Sequence, residues 1–208
     1  MIRRLPTGID VLDRTLSGGI PVGSVVVLSA APASQSELLL SELTAPRETL
    51  YLTTERSAAA VREAFERTTA PTGAPEVAPV PAEAPLDGAD RLIEGLSWES
   101  TLIVDPTDPL ERCERARYRR FMNDLRAAMV DAESVAVLHC LLGANPPVGR
   151  DVTEYMADVV FSLETRIIGD SIENRLAVPK FRGGCALSET IKLELGDRVR
   201  VDTSRDIA

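Results

Sequence analysis

An α/β sandwich with a mainly parallel sheet and a C-terminal antiparallel extension is the fold that this sequence predicts. Three observations carry it. Through the early part of the 208 residues, short β-branched runs alternate with stretches of helical apolar period, the pattern of parallel strands joined by crossover helices. Toward the end the runs become consecutive, with alternating apolar and polar residues on both sides of Gly196-Asp197, a hairpin signature. Near the front, Val25–Leu28 passes through a short loop into an apolar helical stretch, the strand–loop–helix context in which a nucleotide's phosphates are cradled.

Residues 5–23 hold a short helix closed by Gly18-Gly19, with Thr7 as the expected N-cap and Ile9, Leu12 and Leu16 on one face. Val25–Leu28 is a strand, residues 36–43 a helix, Leu50–Thr53 a strand and residues 58–67 a helix. Residues 68–87 are rich in Pro and Ala and form either a loop or a short edge strand around Val77–Val80, because Pro79 and Pro81 exclude a central position. A helix near 89–95 leads to the strand Thr101–Asp105. From Leu110 to Met129 the apolar positions recur at helical spacing, opposite a face of Arg112, Arg115, Arg119 and Arg126 interleaved with Glu111, Glu114 and Asp124. A solvated, ion-paired face accounts for that charge better than a nucleic-acid site. Val135–Cys140 is a strand and residues 152–156 a short helix. Val159–Leu163 and Arg175–Phe181 are strands, the second expected at an edge because of Pro179. Residues 190–195 and 198–202 complete the hairpin.

The loop between the first long strand and its helix has the place of a phosphate-binding loop without its chemistry. Where the G-x-x-x-x-G-K-[ST] pattern puts glycine, lysine and hydroxyl, this chain has Gln35, Ser36 and Glu37. Ser36 brings no cation to a phosphate, and the Glu37 carboxylate stands where a hydroxyl would ligate Mg²⁺. At ~4 Å and an effective dielectric near 20, each such misplaced charge is worth roughly 4 kcal/mol against a polyphosphate. Ser34-x-x-Glu37 instead matches a capping box, in which Ser34 accepts from the Glu37 amide and Glu37 reaches back.

Length and composition set the outer bounds. The chain suits one domain spanning 1–208. The start lacks the apolar core of a signal peptide and no run reaches membrane-spanning length, so a cytoplasmic protein with no membrane partner is expected. The net charge is −9 and only Lys180 and Lys192 are lysines, a balance suggesting a salt-rich host cytoplasm and arguing against a nucleic-acid partner, which needs a positive footprint. Cys113, Cys140 and Cys185 are widely spaced, and His139 is the sole histidine. His139-Cys140 lacks the further ligands a metal site requires, so reduced, buried thiols are expected.

Five segments in order resemble the archaeal KaiC-like branch of the RecA-type ATPase superfamily, over nearly the full length. They are Leu5-Pro6-Thr7-Gly8-Ile9-Asp10 with Gly18-Gly19-Ile20-Pro21; Tyr51-Leu52-Thr53-Thr54-Glu55-Arg56-Ser57; Leu102-Ile103-Val104-Asp105; residues 151–160; and Lys180-Phe181-Arg182-Gly183-Gly184. The resemblance implies a RecA-like three-layer α/β/α domain, here with a degenerate Walker A loop at Ser34, Gln35, Ser36 and Glu37, and with the composition it suggests a haloarchaeal source. It places Glu55 where a catalytic base belongs, though a carboxylate at a helix start near Ser57 serves equally. It places Asp105 where a Mg²⁺-organising carboxylate belongs, though a strand-end Asp opening the Pro106 turn reads the same. Lys180 and Arg182 fall on the same side of a strand, as a clamp on a neighbour's γ-phosphate needs, or as two solvated edge charges. The expectation is a non-hydrolysing regulatory or scaffold subunit with no cofactor, assembling as a homo- or hetero-oligomer with a KaiC-like ATPase. The alternative is an ATP/Mg²⁺-binding protein or weak ATPase with an atypical loop.

Overall fold

A computed structural model describes residues 3–184 and 186–202. The chain opens with a small antiparallel ribbon, β1 (Arg4–Leu5) against β2 (Ile20–Pro21), with α1 (Asp10–Thr15) between its strands. Gly19 makes this ribbon possible. Its φ is +112°, and a Cβ there would lie 2.1 Å from the Leu5 carbonyl oxygen, so no other residue fits. Thr7 is not the N-cap of α1. That position falls to Ile9, because the Thr7 hydroxyl donates to Asp13 Oδ1 at 2.8 Å while accepting from the Ile9 amide at 3.1 Å.

Among the described residues the main sheet has nine strands. Its parallel part is built from β3 (Val25–Ala30), β4 (Thr49–Thr53), β5 (Glu76–Pro79), β6 (Thr101–Asp105), β7 (Val135–Leu141) and the start of β8 (Val159–Ile168). To these are added β9 (Ser171–Phe181), β10 (Ile191–Leu195) and β11 (Val199–Val201), all antiparallel, giving the order β11-β10-β9-β8-β3-β7-β6-β4-β5. Of the loop or edge strand expected around Val77–Val80, the structure has the edge strand, β5. β9 is not at an edge: it lies between β8 and β10. Pro79's counterpart there, Pro179, is tolerated because β10 pairs only with Asn174–Leu176 and a register shift lies opposite it, between Val160 and Ser162.

Strand alternation divides the core into two layers. Val26, Leu28 and Ala30 of β3 face α1, α2 (Ser36–Leu43) and α3 (Ala58–Arg67), meeting Leu12, Leu39, Leu40, Leu43 and Val61. Val25 and Val27 face the other way, toward α4 (Pro85–Ile93), α5 (Asp108–Glu111), α6 (Arg115–Asp131) and α7 (Arg150–Met156), where Phe121, Met122, Leu125 and Met129 carry the long helix. The result is a three-layer α/β/α sandwich with a C-terminal antiparallel hairpin.

The helical stretch expected from Leu110 to Met129 is two helices. Glu114 interrupts it, because its carboxylate accepts from the amides of Ala116 (2.8 Å) and Arg117 (2.9 Å) and starts α6 afresh. The charged face is ion-paired in part, with Arg115 on Asp151 and Arg120 on Asp124. Glu111 departs from it: its side chain is fully buried. Burial and the Glu111 carboxylate push the Cys140 thiol well up, so it stays protonated. Cys140 is buried, Cys113 half-buried, and both are free; Cys185 lies outside the described residues. No helix among the described residues is long and apolar enough to cross a membrane.

Candidate functional site

The parity of three neighbouring strands assembles the site. Tyr51 on β4 and Asp105 on β6 point to the face that α2 covers, as do Ile103 and Val137 beside them. Val104 pairs in register with Leu138, so the next residues, Asp105 and His139, sit side by side at the C-terminal ends of β6 and β7. Cys140, one residue on, points to the opposite layer, which is why His139 and Cys140 cannot share a metal. Among the described residues no group of three or more His, Cys, Asp or Glu side chains is arranged to hold a metal ion.

Asp105 is the hub. One oxygen, Oδ1, lies 2.6 Å from His139 Nδ1. The other, Oδ2, accepts from the Tyr51 hydroxyl and from Arg56 at 2.9 Å. Burial alone would raise this carboxyl, but the bonds from His139 and Tyr51 and the Arg56 charge outweigh it and hold Asp105 below its ordinary value. Burial and the ionised Asp105 push the Tyr51 phenol far up, so it remains a donor. With Asp105 ionised, its Oδ1 accepts a hydrogen bond from His139 Nδ1, and in the neutral tautomer that this contact selects Nε2 is an acceptor. That Nε2 is buried and has no hydrogen-bond partner.

Arg56 extends the network to the loop. Its guanidinium reaches Glu37 at 2.9 Å as well as Asp105. Burial opposes the charged form of Arg56, and the two carboxylates more than offset it, so its pKa is raised. Glu37 is therefore turned toward Arg56 rather than back over the loop. The capping box does not form: the N-cap of α2 is Gln35, with no side-chain cap bond, and Ser34 Oγ makes only a 3.4 Å contact with the Ser36 amide. Glu55 is exposed beside Arg56, and Ser57, not Glu55, caps α3 through the Ala60 amide at 3.2 Å. Together Ser34, Ser36, Glu37, Glu55, Arg56, Asp105 and His139 line a cavity of about 160 Å³. The structure thus brings together Ser34, Ser36, Glu37, Glu55 and Asp105 of the residues that sequence pointed to, while Gln35 lines a separate pocket with Tyr51 and Phe65. It adds Arg56, Tyr51 and His139. Tyr51 lies in the middle of β4, Arg56 three residues past its end and His139 near the end of β7, so the signal for them was the order and register of β4, β6 and β7, which sequence motifs alone do not weigh.

Lys180 and Arg182 are elsewhere, at the opposite end of the sheet. Lys180, in β9, and Arg182, the first residue past its end, turn to the same side and meet the C-terminus of α7. Lys180 Nζ donates to the carbonyls of Glu154 and Tyr155, both at 2.7 Å, and Arg182 donates to the Tyr155 carbonyl at 2.8 Å. Cations at the negative end of a helix satisfy carbonyls left without intrahelical donors. Lys180 also lies 5.8 Å from the centre of the exposed Tyr155 ring. Burial and the adjacent Arg182 charge hold the Lys180 ammonium below its ordinary value.

Comparison with known proteins places this geometry in a family. Residues 4–208 match the model of DUF7125, described as a family of unknown function, and the chain belongs to that family. A stretch of 71 residues is 39% identical to the DNA repair protein RadA of Mycolicibacterium smegmatis, covering 32% of this chain and 15% of that protein. Over 70 residues it is 41% identical to RadA of Mycobacterium tuberculosis, again over 15% of that protein's length. Among solved structures, a KaiC-like protein from the hyperthermophilic archaeon Pyrococcus horikoshii superposes with a TM-score of 0.74 at 16% identity, over 96% of this chain and 100% of that one. The fold is that of this KaiC-like protein.

Proposed function

We propose that this member of the DUF7125 family is a non-hydrolysing RecA/KaiC-like domain, with a degenerate Walker A loop, that acts as a regulatory or scaffold subunit through protein contacts. The observation that carries the reading is the position of Arg56, between the loop carboxylate Glu37 and the strand-end carboxylate Asp105. A magnesium nucleotide asks for a free cation at the loop and for a carboxylate with lone pairs open to the ion. The residues present do not fit it as arranged. The nearest cation is committed to two carboxylates, and Asp105 already accepts from Tyr51, His139 and Arg56. On this reading Asp105 holds no Mg²⁺, Glu55 is a vestigial base, and no cofactor is needed.

The outward face that remains is the one near Phe181. Arg182 caps its own α7 yet keeps a side chain 48% exposed, with donors to spare for a neighbour. We place there the contact with a second copy or with a KaiC-like ATPase, whose site Lys180 and Arg182 would complete in trans. The retained strand–loop–helix geometry favours a second reading, an ATP-binding protein or weak ATPase using backbone amides at the start of α2.

One pair of measurements separates the two. Turnover of Mg-ATP by the purified protein is expected to stay at the level of a Glu55→Gln, Asp105→Asn double variant, and turnover above that level would overturn the proposal. Joint replacement Gln35→Gly, Ser36→Lys and Glu37→Thr is expected to create ATP affinity, since it frees Arg56 and restores a loop cation.

A further inference from the structure

The same cavity has a charge pattern that suits a different ligand. Its walls carry three carboxylates, Glu37, Glu55 and Asp105, against one guanidinium, Arg56. Glu55 makes no ion pair or hydrogen bond among the described residues. His139 forms part of the wall with a side chain only 4% exposed, and its Nε2 has no partner while Nδ1 is spent on Asp105. A buried ring nitrogen without a partner costs free energy until a donor meets it.

We infer that this cavity is a binding site for a small organic cation bearing N–H donors, a guanidinium or primary ammonium. Three features select that class. The net negative wall repels anions and attracts cations. In the tautomer with Nδ1–H turned to Asp105, His139 Nε2 is an acceptor and takes an N–H or O–H donor rather than a phosphate oxygen. Arg56 shows in cis what the walls hold: a planar guanidinium bridging two carboxylates at 2.9 Å each. The ligand would sit beside Arg56, or displace it, with its charge toward Glu55 and a donor on His139. At about 160 Å³ the space is well below the ~300 Å³ at which pockets for drug-sized ligands begin, so it suits a cation of few heavy atoms. Such a cation can be a free metabolite or the tip of a partner's Arg or Lys side chain, and the second source would join this site to the protein contacts proposed above. The inference rests on the reading that no magnesium nucleotide occupies the cavity.

The sole histidine of the chain makes the test direct. Protein labelled with ¹⁵N-histidine gives one imidazole spin system, that of His139. Methylguanidinium chloride, titrated against equal sodium chloride, is expected to shift the Nε2 resonance saturably, with half-saturation at roughly millimolar concentration, as befits so small a ligand. Sodium propionate is expected to leave it in place. Glu55→Gln, at an exposed position, should weaken the cation by about two- to fivefold, the range of a partly exposed ion pair, and Arg56→Gln should strengthen it by removing the resident competitor. A capped Gly-Arg-Gly peptide that binds more tightly than methylguanidinium identifies a protein side chain as the source; equal or weaker binding identifies a free cation. A resonance that methylguanidinium does not move, or moves no more than propionate, or that responds identically in Glu55→Gln, overturns the inference. Mg-ATP run as a separate titrant keeps the outcomes apart. Silence toward both ligands refutes the cation site alone, whereas a response to Mg-ATP refutes the non-nucleotide reading on which it rests.

Discussion

Arg150 and Arg56 each stand between two carboxylates, one on either face of the central sheet, and they do opposite things with the same chemistry. Arg150 is 8% exposed at its side chain and spends every nitrogen: Nε on Glu111 at 3.0 Å, one terminal nitrogen on the Leu141 carbonyl at 2.9 Å, the other on Asp108 and Glu111 at 2.9 and 2.8 Å. Glu111 is also bonded by Thr153, whose hydroxyl meets that of Tyr118 at 2.6 Å. The cluster ties α5, α6 and α7 to the end of β7 and is closed. Around Arg56 the side chains are more open, with Arg56 36% and Glu37 62% exposed. That cluster ends on a buried nitrogen without a partner. A closed ionic cluster is architecture. One that leaves a polar atom unmet beside a cavity is a candidate for ligand chemistry.

The comparison is sharpest in stability. Arg150→Ala leaves Asp108 and Glu111 buried without their cation, and breaking a buried pair in this way costs about 3–5 kcal/mol. Urea unfolding should register it as a large drop in midpoint. A loss under ~1 kcal/mol would show that the α7 side of the sheet does not depend on the cluster.

Asp105→Asn should come next, at about 1–3 kcal/mol, because it removes the charge from the bonds to Arg56 and His139. This variant also has a pH signature. The Asp105 carboxyl is held below its ordinary value of 3.8 in the folded protein. Its contribution is therefore fully present above that value and is lost as pH falls through the lower, folded one. Acid titration of unfolding free energy should show a shallower decline below about pH 4 in Asp105→Asn than in the parent. Equal slopes would mean that Asp105 is not held ionised by its neighbours.

Arg56→Ala should cost less than about 1 kcal/mol, since its guanidinium is partly exposed and screened. Thermal unfolding of this variant against Arg150→Ala is the cleanest test of the open and closed descriptions. Equal losses would erase the distinction.

What the sequence made legible was whatever depends on local period and position. The strand at Val25–Leu28, the helix from Ser36, the limit that Pro79 sets to a loop or edge strand and the hairpin at Gly196-Asp197 follow from residues near one another in the chain. The clusters were not legible, because their members are far apart. Glu111 and Arg150 are separated by 39 residues, and Asp105 and His139 by 34. Glu111 in particular sits at a helical spacing that reads as solvent-facing, and only the packing of α7 over it turns it inward. Asp105 and His139 become neighbours as soon as the order of β6 and β7 is known, so strand order, more than any motif, was the missing information. Pro179 misled because a proline's usual place at an edge was taken without the bulge that admits it inside the sheet.

The smallest effect belongs to the loop itself. Ser34-x-x-Glu37 has the residue types of a capping box, and such a cap is worth ~1 kcal/mol where it forms. Here the backbone places Gln35, with φ −89° and ψ 32°, at the N-cap, and Glu37 is drawn to Arg56. The remaining contact of Ser34 with the Ser36 amide, at 3.4 Å, is too long to contribute much. At the next helix the same residue type caps in full: Ser57 has an extended backbone and accepts from the Ala60 amide at 3.2 Å. Ser57→Ala should therefore lower stability by about 1 kcal/mol, while Ser34→Ala should leave the denaturant midpoint unchanged. If Ser34→Ala proves as costly as Ser57→Ala, the loop is held by its own side chain rather than by the pull of Arg56 on Glu37. The open cluster would then lose its role in shaping the start of α2.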